Sequence, residues 1–162
     1  NEDACEYYNH WYNSVLFTAL DVMDVSDDLE PIQKRIFPKV SVGTLKRSLE
    51  LLERIGFVRK NEDGFWKSSR DSVSSGAYNN NDLVRQYQLQ CFELSKQALL
   101  ADDDNPSDMG TFTFSVSDDA YKEIALEIQN LKAKVRKIIT QDKKEATGVH
   151  QLNIHLFTNL KK

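Results

Sequence analysis

Residues 40–69 read VSVGTLKRSLELLERIGFVRKNEDGFWKSS, and the rest of the chain is organised around them. Val42, Leu45, Leu49, Leu52 and Ile55 recur at helical spacing, so one side of this segment is an apolar stripe. Ser41 stands where an N-cap belongs, because its hydroxyl can take an N–H group that the first helical turn leaves unpaired. Gly56 follows as a helix stop. Beyond it, FVRK and FWKSS are short strand candidates around NEDG, whose Asp63-Gly64 pair is a hairpin signal. A helix backed by a tight hairpin is the second half of a winged helix-turn-helix.

The preceding residues supply the first half. Tyr8, Trp11, Tyr12, Val15, Leu16, Ala19 and Met23 share one helical face over residues 4–24, which predicts one long helix with an aromatic core side. DVSDD breaks it. Asp28 is then placed to cap a short helix that carries Pro31 in its first turn, Ile32 and Ile36 on one face, and a stop at Pro38. Helix, short helix, helix and hairpin follow the order of a winged helix, so residues 1–70 are expected to form a winged-helix-like lobe. The stripe of its third helix would pack down on the other two and leave the opposite face free.

Downstream, residues 68–81 are rich in Ser and Asn and read as a linker. Asp82 is placed to cap a helix over 83–100, with Val84, Tyr87, Cys91, Leu94 and Ala98 on one face. TFTFSVS, residues 111–117, alternates and predicts a half-buried strand. Ser117 or Asp118 opens a long helix to about Thr140, whose apolar side is Tyr121, Ile124, Ile128, Leu131, Val135, Ile138 and Ile139. VHQLNIHLFTNL alternates again, with Leu152, Ile154 and Leu156 inward, and the two strands are expected as sheet neighbours. The fold class is therefore α+β: a winged-helix-like lobe over 1–70, then an α+β lobe over 80–160 built as helix, strand, long helix, strand.

Charge narrows the partners. The net charge of −4 conceals blocks: residues 1–33 carry −8, 34–70 carry +6, 71–131 carry −8 and 132–162 carry +6. Double-stranded DNA can be met only where a basic block coincides with the winged-helix pattern, in residues 34–70. Off the apolar stripe of the third helix lie Ser41, Thr44, Lys46, Arg47 and Ser48, and on the hairpin lie Arg59, Lys60 and Lys67; these are the candidate DNA-binding residues. Lys34, Arg35 and Lys39 precede them. Glu50 and Glu53 on the same helix, and Glu62 and Asp63 at the hairpin tip, oppose that use. The rival reading is a module that does not bind DNA and serves dimerisation or effector sensing. The long helix is more apolar than one small sheet can cover, so a homodimer is expected; no effector is identified.

Other classes find little support. His150 and His155 fall on opposite faces of an alternating segment, and no HExxH, P-loop or GxSxG occurs, so no enzyme activity, metal or cofactor is expected. His10 is expected to be partly buried beside the aromatic cluster. DDDNPSD lacks the glycine and the distal Glu of a calcium loop. Cys5 and Cys91 stand far apart and read as small apolar helix residues, which fits a cytoplasmic location. No apolar run is long enough for a bilayer, so no membrane partner is expected. The start shows no signal peptide and no Met, and the sequence is expected to be a fragment with a segment upstream of Asn1.

HWYNSVLFTAL, TLKRSLELLERIGFVRKNEDGFWKSS, LVRQYQLQCFELSKQAL, FTFSVSDDAYKEIALEIQNLKAKV and VHQLNIHLF occur in this order along essentially the whole chain. In this the chain resembles a family of bacterial proteins first noted as a paralogous domain in Fibrobacter, catalogued as a domain of unknown function. Its more specific marks are WY near the start and the closing QLNIHLF; Tyr87-Gln88 stands where the family tends to read Tyr-His. Members usually place the domain after an N-terminal helix-turn-helix and are labelled transcriptional regulators. The resemblance thus implies regulation of transcription, with DNA contacted by this winged helix or by an upstream helix-turn-helix.

Overall fold

A computed structural model of the protein describes residues 2–69, 81–104 and 107–162. The expected linker lies, from residue 70 to residue 80, outside the described residues. The chain divides into two units, one of residues 1–102 and 146–151, the other of residues 103–145 and 152–162.

The first unit holds helices α1 (Glu2–Tyr8), α2 (Trp11–Ala19), α3 (Glu30–Arg35) and α4 (Val42–Arg54), strands β1 (Val58–Lys60) and β2 (Trp66–Ser68), and helix α5 (Asn81–Leu100). Strands β1 and β2 pair antiparallel, with Val58 opposite Ser68, Arg59 opposite Lys67 and Lys60 opposite Trp66. Asn61 closes the turn between them: its backbone exchanges hydrogen bonds with Phe65 and Gly64, and Gly64 takes the positive φ of 83° that the turn requires. Val25, in the loop after α2, forms an isolated bridge to Trp66, whose N–H donates to the Val25 carbonyl at 2.7 Å. That bridge ties the segment between α2 and α3 to the hairpin and completes a winged-helix arrangement. The core is the set of faces these elements turn toward one another: Leu16, Val25, Leu29, Leu45 and Leu52 are all within 2% of complete burial.

The sequence pattern predicts one helix over residues 4–24; the structure contains two. The break falls at Asn9-His10, where His10 is extended (φ −138°, ψ 129°) and forms the N-cap of α2. Two amides make the break a built feature. The buried Asn13 side chain donates to the carbonyls of Glu6 and Tyr7, in the last turn of α1, at 3.3 and 3.1 Å. Gln90 of α5 donates to the Asn9 carbonyl at 3.0 Å and accepts the Trp11 N–H at 2.7 Å. His10 itself is exposed and stacks flat on Tyr12, 5.0 Å between ring centres, rather than entering the core. Replacing Asn13 with Ala takes the side-chain donor from the Tyr7 carbonyl and the acceptor from the buried Ser48 hydroxyl, whereas the Glu6 carbonyl keeps the Asn9 N–H. Urea unfolding of Asn13→Ala is expected to show a loss of about 1–3 kcal/mol.

The N-cap of helix α3 lies one residue later than expected. Leu29 is the N-cap, and the Asp28 carboxylate takes the Glu30 N–H at 3.1 Å, with Pro31 in the first turn. Helix α4 ends at Gly56, whose φ of 76° is the left-handed turn that a side chain would resist. Val42, expected on the apolar stripe, is 39% exposed, because it sits on the first turn beyond the reach of the partner helices. Leu83 and Cys91 of α5 are buried, the Tyr87 ring meets the Tyr8 ring edge-on at 5.2 Å, and the Tyr87 and Ser14 hydroxyls share a hydrogen bond at 2.9 Å. Helix α5 therefore spends its apolar face on α1 and α2.

The second unit contains α6 (Asp118–Gln141), opened by Ser117, whose hydroxyl accepts from the Ala120 N–H at 3.2 Å. The strands expected on either side of it, residues 111–117 and 149–158, are not formed: among the described residues the one sheet is β1–β2. Phe112, Phe114 and Val116 alternate as expected but remain exposed, as do Leu152 and Phe157. Alternation makes a segment fit for a sheet, but a ladder also needs a neighbour to receive its N–H and C=O groups. The α+β class holds through the winged-helix hairpin.

Candidate nucleic-acid interface

The outward side of α4 begins with a capped turn. Ser41 Oγ accepts the Thr44 N–H at 3.1 Å and hydrogen bonds to the Thr44 hydroxyl at 2.9 Å. Arg47 folds back over this turn and donates to Thr44 Oγ1 at 3.0 Å. Its guanidinium lies 3.7 Å from the place a side chain on Gly43 would fill, in ordinary contact. Its charge also reaches Tyr12 on α2: burial pushes that phenol up, and Arg47 pulls it partly back. Lys46 stands beside it, exposed. Among the described residues neither Lys46 nor Arg47 forms an ion pair. The first turn of α4 has no acidic residue. Two cations therefore follow directly on an acid-free first turn, on the outward side of α4.

The other candidates divide. Ser48 is 3% exposed and turned inward, where its hydroxyl donates to Asn13 Oδ1 at 2.5 Å. It lies three residues after Leu45, on the side of α4 that faces α2, and so holds two helices together instead of facing solvent. Lys60 pairs with Asp27 at 2.7 Å and sits 5.0 Å over the Trp66 ring. Lys67 pairs with Asp24 at 2.7 Å. Both anchors come from the DVSDD segment that breaks the helical pattern after α2. Runs of acids before a basic hairpin were the available signal; the distance between them was not. Arg59 is exposed on β1 without an ion pair among the described residues. Lys34 and Arg35 are exposed in the last turn of α3, and Lys39 donates to the carbonyls of Gln33 and Lys34 at that helix's end. The opposing acids are outward too: Glu50 and Glu53 on α4, Glu62 and Asp63 on the hairpin tip. Arg54 is held by Glu6.

Asp27 links the two halves of this surface. The Lys60 hydrogen bond, then the one from Trp66 Nε1 at 2.9 Å, hold its carboxyl below the ordinary 3.8, and the charges of Lys60 and Lys46 act the same way. A carboxyl with a depressed folded value lends its stability above the unfolded value and loses it as pH falls through the folded one. The tether of the hairpin should thus survive mild acid. The NMR signal of the Trp66 indole N–H is expected to hold still through mildly acidic pH and to move with a midpoint below that of an unpaired aspartate. In Asp27→Asn that acid-range movement should vanish. Among the described residues no group of three His, Cys, Asp or Glu side chains is placed to hold a metal ion.

The profile of a family described as a domain of unknown function, DUF4423, matches residues 1–158. No curated protein and no solved structure matches the chain.

Proposed function

We propose that this chain, which belongs to the DUF4423 family of domains of unknown function, is a DNA-contacting, non-catalytic part of a bacterial transcriptional regulator. One observation carries this: Lys46 and Arg47 are exposed on the outer side of the first two turns of α4 with no ion pair among the described residues, while Arg54, Lys60 and Lys67 are each bound to a carboxylate. Cations left unneutralised at the N-terminal end of a helix in this position suit phosphates and the edges of bases in a major groove. Ser41 and Thr44 fix the turn from which they project, Arg59 adds a phosphate contact from the wing, and Lys60 and Lys67 hold the wing in place. Ser48 has no part in the interface.

The test is a titration of the purified chain against mixed-sequence duplex DNA at low and at moderate salt. Binding is expected at low salt, weakening in proportion to log salt with a slope of about −0.9 for each phosphate neutralised. Absence of binding at low salt would refute it. A second reading has its own support in Glu62 and Asp63 at the wing tip, which would meet phosphate unfavourably if the wing entered a groove. On that reading the lobe binds protein or an effector, with DNA contacted by a helix-turn-helix elsewhere in the regulator.

A further inference from the structure

Helix α6 runs for 24 residues, about 36 Å at 1.5 Å per residue, and buries none of them. Six of its apolar residues, Tyr121, Ile124, Ile128, Leu131, Val135 and Ile138, are spaced alternately three and four apart, while Leu126 and Ile139 lie outside that series. That is the narrow period-3.5 seam of a coiled coil, with Tyr121, Ile128 and Val135 at one core position and Ile124, Leu131 and Ile138 at the other. Along this side runs a shallow groove lined by Ile124, Ile128 and Leu131. Leu131 is 48% and Ile138 59% exposed. A seam of this kind wants another helix.

Charge says which helix. The N-terminal half of α6 carries Asp118, Asp119, Glu123 and Glu127 against a lone Lys122; the C-terminal half carries Lys132, Lys134, Arg136 and Lys137 and no acid. We propose that α6 pairs antiparallel with α6 of a second copy of this chain. Parallel pairing would lay acidic half on acidic half and basic half on basic half, with Glu127–Lys132 as its favourable flanking pair; antiparallel pairing sets each acidic half on a basic one. The seam is also symmetric about the point between Gln129 and Asn130. Tyr121 therefore meets Ile138 of the second copy, Ile124 meets Val135, and Ile128 meets Leu131, each core position opposite its complement. In that register Glu127 and Lys134, which flank the seam at equivalent heptad positions, face each other across it, twice by symmetry. Nothing here depends on whether the chain binds DNA.

The test is sedimentation equilibrium of the 162-residue chain and three variants, with helicity followed by circular dichroism. Glu127 and Lys134 are both exposed and neither lies in the winged-helix core, so the variants keep the fold. The chain is expected to dimerise, and Glu127→Lys or Lys134→Glu alone to raise the dimer Kd about tenfold. The double variant should return to within about twofold of the parent. Residues 127 and 134 lie two turns apart on one helix, too far for rescue within a copy. In a parallel pair Lys134 faces Ile139, so Lys134→Glu would leave association unchanged. A chain that stays monomeric at every concentration, or a double variant that fails to recover, overturns the proposal.

Discussion

Reversing both cations at the start of α4, in Lys46→Glu with Arg47→Glu, is expected to abolish DNA binding while the protein stays folded. Two lost phosphate contacts lower the magnitude of the salt slope by about 1.8, and replacing them by two carboxylates reduces affinity at moderate salt by about a hundredfold or more. The fold has little to lose. Both side chains are exposed, and the polar contact that Arg47 makes, to Thr44, is local to the turn that Ser41 already caps. Thermal unfolding should therefore shift by no more than about 0.5 kcal/mol. Binding that persists in the double variant with an unchanged slope would move the interface elsewhere, to Lys34, Arg35 and Arg59.

The adjacent residue should behave in the opposite way. Leu45 is completely buried, one position before Lys46, among the residues that α4 turns toward the rest of the winged lobe. Leu45→Ala removes its packing and leaves a cavity, because α2 and α3 are held by their own contacts and cannot collapse fully into it. The expected cost is about 2–5 kcal/mol in chemical unfolding. At a temperature where the variant remains folded, its DNA affinity should fall far less than that of the charge reversal, since Lys46 and Arg47 are still present. On the proposed reading, neighbours in sequence separate stability from recognition, one on each side of the same helical turn.

Much of the first unit was legible. Ser41 as cap, Gly56 as stop, the Asp63-Gly64 hairpin and the leucine stripe are local signals, each set by the backbone needs of a few adjacent residues, and each was found in place. The break between α1 and α2 was not legible, because it is held by Gln90, which lies 79 residues from Trp11 and looks like any other polar helix residue. Ser48 was misread for a similar reason. A small polar residue beside a leucine stripe passes for surface until a buried partner, Asn13, is known. The carboxylate partners of the wing cations Lys60 and Lys67 are not legible in the sequence, because Asp27 and Asp24 are 33 and 43 residues away from them.

By itself the sequence determined which stretches coil, where three of those helices begin or stop, and that positive charge gathers over residues 34–70. Those outcomes follow from hydrogen bonds and steric limits within a turn or two of chain. Only the tertiary structure decided which cations stay unpaired, which serine turns inward, and that the segments beside α6 form no ladder. Those outcomes rest on contacts between residues far apart in the chain, whose energies depend on distances that periodicity does not encode.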